Sequence, residues 1–207
     1  MSSTALGIVL GILVGLRHAF EPDHLTAVST LVSETHDVRH GALLGVLWGL
    51  GHTISLVVVG MILAVVGATL PPGAGVAFEL GVAAMLVVLG VRAMVVALRG
   101  LHGHAHRRAA GSRRRWRPFV VGLIHGLAGS GALTALVFAQ LPGTGARIVY
   151  IALFGTGSIA GMAIASGVAG ATLQLVVRSD RVRRDIGFAT GILSITVGLL
   201  WGIPLLS

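Results

Sequence analysis

LRHAFEPDHLTA, residues 16–27, interrupts an apolar stretch with Arg17, His18, Glu21, Asp23 and His24, and with a proline at position 22. Each ionisable group at the centre of a membrane helix costs about 2.5–3.5 kcal/mol on the insertion scale, so several together imply a purpose. On a straight helix, positions 18 and 24 would face about 240° apart. Pro22 removes a backbone donor and crowds the turn before it, so the helix is expected to break there. A break lets His18, Asp23 and His24 converge, and unwound carbonyls can add oxygen ligands. Two imidazoles and a carboxylate suit a borderline divalent metal such as nickel, cobalt or zinc. The competing reading is a structural knot, with Arg17 and Glu21 paired at i, i+4 and the histidines capping broken backbone.

The surroundings of this stretch set the fold class. The 207-residue chain is 55% hydrophobic and 11% charged, where a soluble domain carries about 25% charged residues. Apolar runs long enough to cross a hydrocarbon core of about 30 Å recur throughout. An all-α polytopic membrane protein follows, with six transmembrane helices expected near residues 4–33, 41–69, 75–98, 118–141, 146–177 and 184–205. The N-terminus has no basic run before its apolar segment, so it reads as the first span and not as a signal peptide. Small residues at four-residue spacing, Gly45 with Gly49 and Gly157 with Gly161, are expected to let helices approach closely.

All 15 basic residues are arginine, against 7 acids, for a formal charge of +8. Eight of those arginines lie between Arg92 and Arg117 and four between Arg178 and Arg184. Clusters flanking apolar spans read as topology signals and contacts to anionic lipid, not as a nucleic-acid surface. They place the third and fifth connections in the cytoplasm and both termini outside, as in a bacterial cytoplasmic (inner) membrane protein. The first connection, with Arg39 against Glu34 and Asp37, adds little. Cysteine is absent, which excludes disulfides, thiolate ligands and thiol redox chemistry.

Residues 15–27, GLRHAFEPDHLTA, and residues 122–135, GLIHGLAGSGALTA, both open Gly-Leu-x-His and close Leu-Thr-Ala. Each opens a group of three spans, and an odd number of spans forces the two halves into opposite orientations. The expected architecture is two inverted three-helix repeats, 1–98 and 118–207, with interrupted first and fourth helices, joined by a His/Arg-rich cytoplasmic loop at 99–117. Inverted repeats with broken helices around a central site are a transporter arrangement. Counting from His18 and His125, Asp23 aligns with Ser130 and His24 with Gly131, so the second half lacks the charge.

RHAFEPDH resembles the signature of the nickel/cobalt transporter family: His, four residues, then Asp-His, preceded by Arg and with Ala after the first His. Here those positions are Arg17, His18, Ala19, Asp23 and His24. The family's Gly-His pair followed by Ser or Thr is matched by Gly51, His52 and Thr53 in WGLGHTISLVVVG. Longer members have about eight spans and later Asp/Thr motifs that are not found here; the chain is more similar to the shorter, six-span, urease-accessory-type nickel permeases. The resemblance implies a permease for Ni2+, with Co2+ next, and metal ligands at His18, Asp23, His24 and His52. No cofactor is expected, and the cation itself is the substrate.

Further residues are candidates for lesser roles. Arg17, Glu21, His125 and Ser130 could line the pathway or support the ligands, although His125 could equally tie two helices together. His102, His104 and His106 form a His-rich tract that could collect metal at the cytoplasmic mouth, or could be a solvated linker. His36 and His40 read as the interfacial start of the second span. A second copy of the chain or an intracellular metal chaperone are the partners such a permease would use. Rival classes are an exporter of a small anion or amino acid, which leaves Asp23 and both histidines without a task, and an intramembrane enzyme. The enzyme would use His18 with Asp23 as an acyltransferase pair, or Ser130 with a histidine as a nucleophile and base.

Overall fold

The computed structural model describes residues 3–33, 37–66, 72–99, 116–128 and 143–206. Those residues form α1 (Ser3–His18), α2 (Pro22–Val32), α3 (Val38–Val66), α4 (Pro72–Arg99), α5 (residues 116–128), α6 (Thr144–Val176) and α7 (Asp180–Gly202), with a closing 3₁₀ turn at Ile203–Leu206. No strand occurs among them. Val38–Leu63, Gly73–Arg99, Gly145–Val176 and Asp180–Leu206 are each long and apolar enough to cross a bilayer. Their outward faces carry bare aliphatic side chains: Val88 is 64% exposed, Leu200 71% and Leu175 72%. Lipid is the environment such faces need, and the chain is an all-helical, multi-pass membrane protein.

The expected interruption of the first span is present. α1 stops at His18 and α2 starts with Pro22 as its first residue, leaving Ala19, Phe20 and Glu21 as a turn. Pro22 dictates both ends of that turn. Its ring pushes the preceding residue out of the helical region, and Glu21 is extended at φ −65°, ψ 150°. Proline is also well suited to the first position of the new helix, where its missing N–H is not needed. The turn closes with Phe20 N–H donating to the Arg17 carbonyl (2.9 Å) and Glu21 N–H to the His18 carbonyl (3.0 Å). In α2 the hydroxyls of Thr26, Ser29 and Thr30 donate to carbonyls of Pro22, Thr26 and Ala27. These hydroxyls therefore need no partner outside their own helix.

Helix packing is set by glycine. α3 lies along α6, α1 along α6, and α4 along α7. Gly45 and Gly49 of α3 face Met162 and Ile159 of α6, while Gly157 and Gly161 face Ile12, Leu16 and Ala19. All four are at helix crossings, as their spacing predicted. The contacts also come in exchanged pairs. Gly15 meets the backbone of Phe154, and Gly122 meets that of Trp48. Gly157 meets Ile12, and Gly51 meets Phe119; Gly49 meets Ile159, and Gly155 meets Thr53. Thus α1 packs on α6 as α5 packs on α3. The expected break in the fourth span, at Gly129–Gly131, lies outside the described residues, as do Ser130, His36, His102, His104 and His106.

Candidate metal centre

The break gathers the polar residues of the first span. His18 is the last residue of α1 and His24 lies in the first turn of α2, and their ring centroids are 4.4 Å apart. His52, from the middle of α3, places its ring 5.2 Å from His18 and 5.3 Å from His24. His125, from α5, lies 4.1 Å from His24 on centroids. His24, His52 and His125 are buried. Two glycines of α5 allow this approach, because Gly122 and Gly126 lie on the backbone of α3 at Trp48 and His52.

Carboxylates hold the rings from outside. Glu21 Oε2 is 2.9 Å from His18 Nδ1. Asp23 uses both oxygens: Oδ1 accepts from His24 Nδ1 at 3.0 Å and Oδ2 from His125 Nε2 at 2.8 Å. Asp23 belongs to the first turn of α2, where the helix dipole favours a negative group. Donation to a carboxylate fixes which ring nitrogen carries the proton. It leaves the second nitrogen of His18 and of His24 with a lone pair, and those atoms, His18 Nε2 and His24 Nε2, make no hydrogen bond among the described residues. Neither nitrogen of His52 makes one, nor does His125 Nδ1. One ligand atom each from His18, His24 and His52 lie within 4.8 Å of one another, and the same holds for Asp23, His24 and His125. A buried polar atom without a partner costs about 1–3 kcal/mol. One nitrogen of a neutral His52 carries a proton, but the other, with His18 Nε2, His24 Nε2 and His125 Nδ1, keeps a lone pair, and this concentration favours a ligand that takes lone pairs. A transition-metal cation is such a ligand, and imidazole suits it.

The four residues expected to ligate, His18, Asp23, His24 and His52, are thus brought together, and His125 joins them. The Arg17–Glu21 pairing of the structural-knot reading is replaced: Glu21 is bound to His18, and Arg17 is exposed. The acyltransferase pairing fares similarly, since His18 Nδ1 is engaged by Glu21 and Asp23 by two other histidines. His40 is exposed at the start of α3, as expected of an interfacial residue. Two wall residues escaped the sequence reading. Trp48 packs against His24 and His125 at 5.5 and 5.7 Å, and Phe154 against His18 at 5.2 Å. Trp48 could have been found, because it precedes His52 by four residues and so shares its helix face. Glu21, with a half-exposed side chain next to His18, marks the edge where the cluster reaches the surface.

Residues 5–117 match the NicO family, described as high-affinity nickel-transport protein. Over 202 residues the chain is 31% identical to a urease accessory protein, UreH, of Bacillus sp. (strain TB-90), spanning 93% of this chain and 88% of the relative. No solved structure matches. With a family match over more than half its length and a relative aligned nearly end to end, the chain belongs to the NicO family of nickel transporters.

Proposed function

We propose that this permease moves Ni2+, or Co2+, through a site made by His18, Asp23, His24 and His52 at the broken first helix. The observation that carries the proposal is that His18, His24 and His52, from three helices, each place one ligand atom within 4.8 Å of the others, and that each has a buried nitrogen without a hydrogen-bond partner among the described residues. His18, His24 and His52 supply nitrogen to the cation. Asp23 supplies negative charge and, with Glu21, fixes the rings as carboxylates beside metal-bound histidines do. The carbonyl end of α1 also faces the break, which favours a cation. Uptake of Ni2+ into cells lacking their own nickel permease, with Co2+, Zn2+ and Mn2+ in parallel, tests the proposal. Expression of the chain should raise Ni2+ most, then Co2+; equal uptake with and without the chain would refute it.

The two halves, 1–98 and 118–207, are on this reading inverted repeats about an axis in the membrane plane, giving six spans. The exchanged contacts of α1 with α6 and α5 with α3 support it. The arginine clusters support a cytoplasmic 99–117 loop and external termini in a bacterial inner membrane. His102, His104 and His106 then act at the cytoplasmic mouth, as a collecting tract or as the place where a metal chaperone docks. Changing all three to Ala should weaken uptake at low metal and spare it at high metal, measured as a rise in the half-saturating concentration with the maximal rate kept. Loss at every concentration would assign the essential site to the loop.

A further inference from the structure

His24 belongs to two ligand sets at once. One set is His18, His24 and His52, drawn wholly from α1, α2 and α3; the other is Asp23, His24 and His125, which takes its last member from α5. The His24 ring lies 4.4 Å from that of His18 and 4.1 Å from that of His125, between centroids. A neutral imidazole offers one lone pair at a time. With its proton on Nδ1, donated to Asp23, His24 presents Nε2, which is the bare nitrogen. With the proton on Nε2, it presents Nδ1, the atom that already lies on the Asp23 carboxylate. His125 has the same choice, since Nε2 donates to Asp23 and Nδ1 is buried without a hydrogen bond. Each ring changes face by moving one proton between its own nitrogens, with no net gain or loss.

We propose that the two sets are successive stations for one divalent transition-metal cation, and that His125 is a ligand at the second. The inference rests on the transport reading above. At the first station the cation is held by residues of the first half alone, with Asp23 outside the ligand shell. At the second, His24 turns over its coordinating nitrogen, the Asp23 carboxylate enters the shell, and His125 of the second half replaces His18 and His52. Because a single neutral His24 serves only one set, the stations are filled alternately. Passage from one to the other moves the ion from a half-site to the contact between the halves, where relative movement of the halves can release it.

The plain alternative is that His125 only positions Asp23 through its hydrogen bond. His125→Gln separates the two, because the amide still donates to the carboxylate yet ligates transition metals poorly. The full chain in detergent is titrated with Ni2+ by calorimetry, the ligand shell is read by X-ray absorption, and uptake is measured in cells. Wild type should bind one Ni2+ per chain. His125→Gln should still bind one, within about threefold of the wild-type Kd, while uptake falls by about tenfold or more, at least what loss of a partner beside a metal ligand already costs. His52→Gln should shift the bound ion to a shell with fewer imidazoles and a carboxylate. Wild-type uptake by His125→Gln would overturn the proposal in favour of positioning. Two ions per chain, or no binding by folded His125→Gln, would overturn it too. No binding by wild type would remove the transport reading itself. Should the Gln variant be missing from the membrane, His125→Cys, which can ligate, should retain more uptake than His125→Ser; equal uptake would again overturn the proposal.

Discussion

His24→Ala should abolish metal uptake, reducing it by about 100-fold or more, since loss of a mere supporting partner beside a metal ligand already costs about 10–100-fold. The expectation follows from position. Among the described residues, His24 is the one imidazole shared by the set with His18 and His52 and the set with Asp23 and His125. It is also buried, so no water can readily substitute for it. The effect on folding should be smaller, about 1–3 kcal/mol, because truncation leaves Asp23 Oδ1 without its donor. His52→Ala makes an instructive partner. Neither nitrogen of His52 holds a hydrogen bond among the described residues, so its removal orphans no polar atom there; the cost is the cavity alone, and folded protein should still be recovered while uptake is lost. A structural knot predicts the reverse, with stability falling at both positions and uptake following stability. Uptake at matched expression and a size-exclusion profile of the solubilised protein measure the two effects. Normal uptake by either variant would sink the site.

The first span was legible because its signals are local. A proline, two histidines and two acids within one apolar run leave few ways to satisfy backbone and charge, and the break falls where Pro22 requires it. Four of the six expected apolar spans were legible too, among them 75–98 and 146–177 against observed helices Pro72–Arg99 and Thr144–Val176. Glu21 was paired wrongly in the knot reading for a physical reason. The i, i+4 rule presumes a continuous helix, and α1 ends at His18, so the turn carries Glu21 under His18 instead of Arg17. His125 was undecided for a different reason. Its sequence neighbours are apolar or glycine, and its partner Asp23 is 102 residues away. Only the α3–α5 crossing, where glycines let the backbones touch, decides that it meets the cluster. Trp48 was passed over because aromatic residues in membrane spans are common and its role depends on which face His52 presents.

That crossing sets the second large effect. Gly126→Leu should destabilise the protein by about 1–3 kcal/mol, the usual cost of overpacking, and should abolish uptake although every proposed ligand remains. A Cβ at position 126 would fall on the His52 carbonyl and come within 2.9 Å of both the His52 Cα and the Ser55 Cβ. Neither side can yield easily. Ser55 Oγ donates to the Leu123 carbonyl at 2.7 Å, tying α3 to α5 one turn away. Gly122 is pressed against the Trp48 carbonyl at the same crossing. A leucine must therefore push α5 off α3, and the displacement acts on His52 and His125 together because each stands at the crossing. Gly81 is the control. A Cβ there meets nothing within 4 Å, so Gly81→Ala should stabilise its helix by about 0.5–1 kcal/mol and leave uptake unchanged. Thermal unfolding of the solubilised variants and Ni2+ uptake at matched expression check both. Normal transport by Gly126→Leu would mean that the cluster works without the α3–α5 contact. His52 and His125 would then have no common scaffold, and the site would have to be sought in the first span alone.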